Sequence, residues 1–162
     1  MSALENLVAE LVARRIGEPR AGTATVADPL WALNGLEARV PQGAVLYVGS
    51  VQTPSGKTLR WQYGEPASDV FDRDWADLAP QLTALGSPVR LRILQAVLRG
   101  ITTATALVEE LDAGTSGQVY HHLKELTAAG WLVSPRRGVF DMPPTRVVPL
   151  LAILVAAGTP AA

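Results

Sequence analysis

Apolar residues recur along the chain with two periods, and the change from one to the other divides it. Leu4, Leu7, Val8, Leu11, Val12 and Ile16 fall three and four apart, on one face of a predicted helix. Ser2 and Glu5 form a capping box at its start, and Gly17, just before Pro19, ends it. Residues 17–43 are rich in Gly and Pro, with one short helix predicted at Asp28-Pro29-Leu30-Trp31-Ala32-Leu33, where Asp28 caps and Pro29 takes the first turn. A β-hairpin is predicted next, from Ala44-Val45-Leu46-Tyr47-Val48 and Leu59-Arg60-Trp61-Gln62-Tyr63 joined through Thr53-Pro54-Ser55-Gly56. Leu59, Trp61 and Tyr63 share one face of its second strand, which either completes a core or lines a pocket.

From Asp74 onward the helical period holds. Trp75, Leu78, Leu82 and Leu85 mark one helix, which tolerates Pro80 only in or near its first turn. Ser87 caps a second that opens on Pro88 and turns Leu91, Leu94, Val97 and Leu98 inward. A third spans about Thr103 to Leu111, with Leu107, Val108 and Leu111 as its stripe. A fourth spans about Ser116 to Ala129, burying Val119, Leu123 and Leu126 and ending at Gly130. Trp131-Leu132-Val133 and Val139-Phe140-Asp141-Met142 then flank Pro135-Arg136-Arg137-Gly138, a hairpin with a basic tip. A strongly apolar helix, roughly Arg146 to Ala156, closes the chain.

Three short helices, the last two joined by Asp112-Ala113-Gly114 and followed by a basic hairpin, predict a winged helix-turn-helix. The expected fold class is therefore α+β, mainly helical. Its parts are an N-terminal dimerisation helix (1–17), an accessory region with a β-hairpin (18–73), the winged helix-turn-helix (74–142), and a C-terminal dimerisation helix and tail (143–162).

Composition removes several chemistries. The 162 residues include no cysteine, which excludes disulfides, thiolate metal sites and cysteine nucleophiles. The N-terminus has no basic stretch before an apolar run, and the apolar stretch Val147 to Ala157 is broken by Pro149 and too short to span a bilayer, so a soluble, cytoplasmic protein is expected. Net charge is −1, but residues 1–77 hold seven Lys/Arg against ten Asp/Glu, while 78–162 hold seven against five. A nucleic-acid surface therefore belongs in the second half. Gly56-Lys57-Thr58 ends like a phosphate-binding loop, yet Val51 stands where that loop needs glycine and the following residues alternate like a strand; a hairpin turn is the simpler reading. No histidine stands available for a Ser/His/Asp arrangement, and Asp69, Asp72, Asp74 and Asp77 read as an acidic helix start, so no enzyme and no cofactor are expected.

Two segments carry a family resemblance. Leu85-Gly86-Ser87-Pro88-Val89-Arg90-Leu91-Arg92-Ile93-Leu94 resembles the helix opening of ArsR-type bacterial repressors. Val119-Tyr120-His121-His122-Leu123-Lys124-Glu125-Leu126, continued by Ala129-Gly130-Trp131-Leu132-Val133, resembles their recognition helix. The resemblance covers residues 78–142, without the family's cysteine metal-sensing pattern and without any match for 17–73. It implies a homodimeric, DNA-binding transcription regulator, with the terminal helices as dimer interface. Leu4, Leu7 and Leu11, and Leu150, Leu151 and Leu154, are the residues expected there. The alternative for these helices is packing within one chain.

With Val119, Leu123 and Leu126 inward, Gln118, His121 and Lys124 point outward and His122 lies on the shoulder, where a local, partly buried hydrogen bond is expected. Adjacent helix positions diverge by about 100°, so His121 and His122 do not readily share a metal, and no metal site is expected. Thr115, Ser116, Gln118, Tyr120 and His121 are the expected base-reading set, with Gln118 suited to adenine and Thr115 or Ser116 alternatively a helix cap. Lys124, Arg136 and Arg137 suit phosphates, the two arginines also the minor groove. Arg90 and Arg92 are equally consistent with solvation, salt bridging or DNA contact. The expected partner is double-stranded DNA bearing a palindromic operator; an unidentified small-molecule effector is compatible with it, the accessory region either rearranging the dimer or receiving a signal. The alternative is a winged helix that docks proteins and binds no specific DNA.

Overall fold

The computed structural model of the protein describes residues 30–111 and 116–158. The first predicted helix with Leu4, Leu7 and Leu11, the Asp28-Pro29 pair, the turn at 112–114 and Thr115 lie outside the described residues. The architecture is mixed α and β, with two separate two-stranded sheets. Among the described residues no helix is long and apolar enough to cross a membrane. The chain divides into two compact units, one of residues 30–46 with 65–71, the other of residues 47–64 with 72–158.

In the smaller unit, helix α1 (Trp31–Glu37) buries none of its residues. Arg39 donates from Nη1 to the carbonyl of Gly35 at 2.7 Å, satisfying one of the acceptors left open at the helix end. Helix α2 (Ala67–Asp72) follows the sheet, and its first amide donates to the carbonyl of Gly43 at 3.0 Å.

Strands β1 (Ala44–Gln52) and β2 (Thr58–Pro66) form the first sheet. Their turn is held by four bonds: the Thr53 amide to the Lys57 carbonyl, the Gly56 amide to the Thr53 carbonyl, the Lys57 amide to Thr53 Oγ1, and one between the Thr53 and Ser55 hydroxyls. Thr58 opens a strand, so Gly56-Lys57-Thr58 is a hairpin turn with no helix behind it. In β2 Leu59 and Trp61 are partly buried, while Tyr63 is largely exposed and stands 5.8 Å from the Tyr47 ring.

The larger unit holds the core. Asp74 accepts from the Ala76 amide and caps a 3₁₀ turn (Trp75–Leu78), which runs into α3 (Ala79–Leu85). The single helix expected over Trp75 to Leu85 is thus two pieces, because Pro80 has no N–H to continue a ladder and sits in the first turn of the second. Of its predicted stripe only Leu85 is buried; Trp75, Leu78 and Leu82 are exposed. Helix α4 (Pro88–Leu98) is capped by Ser87, whose Oγ accepts the Arg90 amide at 3.5 Å. Helices α5 (Ala104–Leu111) and α6 (Ser116–Ala128) follow. Buried side chains from α4 (Ile93, Leu94, Val97), α5 (Leu107) and α6 (Val119, Leu123, Leu126) form one cluster with Trp131 and Leu132.

Helix α6 ends where Gly130 takes a φ of 74°. The Trp131 amide then reaches back to the Leu126 carbonyl and the Gly130 amide to that of Thr127, a pair of bonds that needs the left-handed glycine. This reversal drives Trp131 into the core, where its indole N–H donates to the Gln81 carbonyl at 3.0 Å.

Strands β3 (Val133–Arg136) and β4 (Val139–Asp141) pair antiparallel, with Val133 opposite Asp141 and Arg136 opposite Val139. Strand β4 also bridges to Thr103, and the Phe140 amide donates to the Thr102 carbonyl, which ties the sheet to the start of α5.

The last helix, α7 (Pro144–Ala157), begins earlier than its apolar pattern suggested because Pro144 suits the first helical position. Val147, Val148 and Leu150 are buried. Leu150, assigned from the sequence to a dimer interface, therefore faces its own chain's core: at 2% exposure it has no surface left for a partner. Leu151 packs partly against that core, and Leu154 is exposed. Strand β1 comes close to this helix at Gly49, where an added Cβ would stand 2.6 Å from Val148 Cγ1. Only glycine fits at that approach.

Candidate nucleic-acid interface

The heptad-like spacing of Val119, Leu123 and Leu126 fixes the rotation of α6, because all three are at most 1% exposed. Burying that stripe turns Ser116, Gln118, Tyr120, His121, Lys124 and Glu125 outward, all of them exposed. Tyr120 keeps half of its surface in contact with solvent. Five of the six residues expected on this helix and its approach are thus exposed. The sixth, Thr115, is outside the described residues.

The Lys124 ammonium has no hydrogen bond or ion pair among the described residues, and neither guanidinium of Arg136 or Arg137 has one. Arg136 is the last residue of β3 and Arg137 opens the turn, at the end of the sheet that Val139 and Gly138 tie to Thr103 and Ala104. In contrast the Lys57 ammonium pairs with Asp141 at 2.9 Å. Asp141 Oδ1 also accepts the Met142 amide, so this carboxylate is engaged.

The two histidines separate as their helix positions require. Their ring centroids are 5.7 Å apart and tilted by 52°. His121 is exposed. His122 is partly buried, and its Nδ1 is buried without any hydrogen-bond partner, so the local bond expected there is not formed at that nitrogen. Its pKa is lowered from 6.5, first by burial, then by the charge of Arg90 and by His121, with Glu125 opposing. Burial, Arg90 and His121 thus all favour the neutral ring, against Glu125. Among the described residues no three His, Asp or Glu converge as metal ligands would.

Arg90 does something the sequence reading did not weigh. Its Nε donates to the Ala84 carbonyl at 2.6 Å and its Nη2 to the Thr83 carbonyl at 2.7 Å, so it closes the C-terminus of α3 with both charge and hydrogen bonds. The signal was legible only in part: the six- and seven-residue offsets mean nothing until Gly86 and Ser87 turn the chain. Arg92 is exposed and lines an open cleft with Gln95, Arg99 and Glu110.

The sequence model of a helix-turn-helix domain family matches residues 85–133, from the end of α3 to the first residue of β3. That stretch of the chain is similar to the helix-turn-helix family. No curated protein and no solved structure matches the chain. The matched span holds α4, α5 and α6.

Proposed function

We propose that this protein is a sequence-specific, DNA-binding transcriptional regulator of the ArsR type, acting as a repressor. The observation that carries the reading is the outward face of α6, polar from Ser116 to Lys124, on a helix whose opposite face is locked into the core. A helix held in this way enters the major groove as a rigid body, with its N-terminal side chains toward base edges. Ser116, Gln118, Tyr120 and His121 then read bases, with Thr115 or Ser116 as cap, and Gln118 pairs with adenine. Lys124 takes a phosphate. The β3–β4 hairpin is the wing, and Arg136 and Arg137 contact phosphates or the minor groove beside the site. The region 74–142 is the DNA-binding domain and 18–73 an accessory region.

Two copies related by a twofold axis bind a palindrome, with recognition helices about one DNA turn, roughly 34 Å, apart. Leu151 and Leu154 of α7, with the N-terminal residues Leu4, Leu7 and Leu11, supply the dimer contact. The exposure of Leu154 and Val155 supports that role, since neither is covered within one chain.

Selection of bound duplexes from a random pool tests this directly. An enriched palindrome is expected, with affinity reduced by about 1–3 kcal/mol in Gln118→Ala or His121→Ala. A pool that shows no enrichment, with equal residual binding by both variants, would sink the reading and leave a protein-docking winged helix.

A further inference from the structure

Helix α7 offers a second surface, distinct from both its core face and Leu154. Pro149, Ala152, Ile153 and Ala156 follow the i, i+3, i+4, i+7 spacing of one face, and they line a groove of about 530 Å³. Leu78 and Leu82, the residues whose predicted burial failed, form the facing wall, and Trp131 supplies the floor. Exposed leucines opposite an apolar helix face need a cover. The volume falls within the range of small-molecule sites, about 300–1,000 Å³.

One charge identifies the occupant. The Arg146 guanidinium lies 5.3 Å from the centroid of the Trp131 ring, inside these apolar walls, and no carboxylate among the described residues pairs with it. Gln81, which also lines the groove, keeps its Oε1 buried without a donor. An apolar groove with one uncompensated planar cation favours a ligand that brings a flat apolar body and one carboxylate, because the guanidinium fork matches a carboxylate in two parallel bonds. We infer that this groove is a binding site for a small aromatic carboxylate, with Arg146 as its anion contact and the exposed Leu78, Leu82 and Ile153 as its apolar walls.

The site is independent of the DNA-binding reading, and its test uses no DNA. Isothermal titration of the full chain with 2-naphthoate, and with the neutral 2-naphthamide as control, should give one naphthoate site per chain. Arg146→Gln should weaken naphthoate by about tenfold and leave the amide unchanged, as expected for loss of one charge-assisted pair. Ala152→Trp should fill the groove and abolish both, with an unaltered circular dichroism spectrum. Lack of saturable naphthoate binding at millimolar probe would overturn the site, as would equal affinity for the two probes in wild type and Arg146→Gln. Absent probe binding together with an Ala152→Trp protein of halved mass in sedimentation would also overturn it, and would assign the groove to contact between two copies.

Discussion

Replacing Arg136 and Arg137 together by alanine removes two cations that nothing in the described protein neutralises. Both are exposed, one at the end of β3 and one in the turn, so the core loses nothing and stability should stay within about 0.5 kcal/mol of wild type. Their cost should appear only against DNA. Each phosphate contact contributes about 0.9 to the slope of log affinity against log salt concentration, so two contacts per chain give about 1.8 and a twofold dimer about 3.6. Between 50 and 200 mM salt a slope difference of that size makes wild type lose roughly a hundredfold more affinity than the variant. Fluorescence anisotropy with the selected duplex, titrated at four or more salt concentrations, measures both slopes. Parallel lines for the two proteins would refute the argument, because a phosphate contact cannot vanish without releasing fewer counterions.

Three other outcomes follow from the geometry. Leu123→Ala, at a position with no exposed surface, should cost about 2–5 kcal/mol in urea unfolding; a loss below 1 kcal/mol would mean that α6 is not anchored as described. Ser87→Ala should cost about 0.5–1 kcal/mol, the low end for a helix cap, because its bond to the Arg90 amide is 3.5 Å long. His122, with its pKa held below 6.5, contributes a stability that is complete above that pH and declines as pH falls through 6.5 toward the folded value, since the unfolded chain takes up the proton first. From pH 8 to 5 the unfolding midpoint of wild type should fall more than that of His122→Gln, and parallel profiles would contradict the assignment.

The sequence by itself determined everything that rests on local period and on backbone chemistry. Val119, Leu123 and Leu126 could face only one way on a helix, and that fixed which of Ser116, Gln118, His121 and Lys124 face outward. Ser87-Pro88 and Gly130 set a helix start and a helix end because a hydroxyl accepts the amides left open at a start, and glycine alone enters the left-handed region freely. The hairpin turn at Gly56-Lys57-Thr58 was likewise legible from the alternation behind it. What only the tertiary structure decided was which apolar stripes find partners. The periods of Leu82 and of Leu150 look alike in the sequence, yet Leu150 is buried in the core and Leu82 is left open. Periodicity states that a face is apolar, whereas burial depends on what the rest of the chain brings against it. The same reason hid Arg90, whose acceptors on Thr83 and Ala84 meet it only after the chain reverses at Gly86, and Gly49, whose missing side chain matters only because Val148 lies against it.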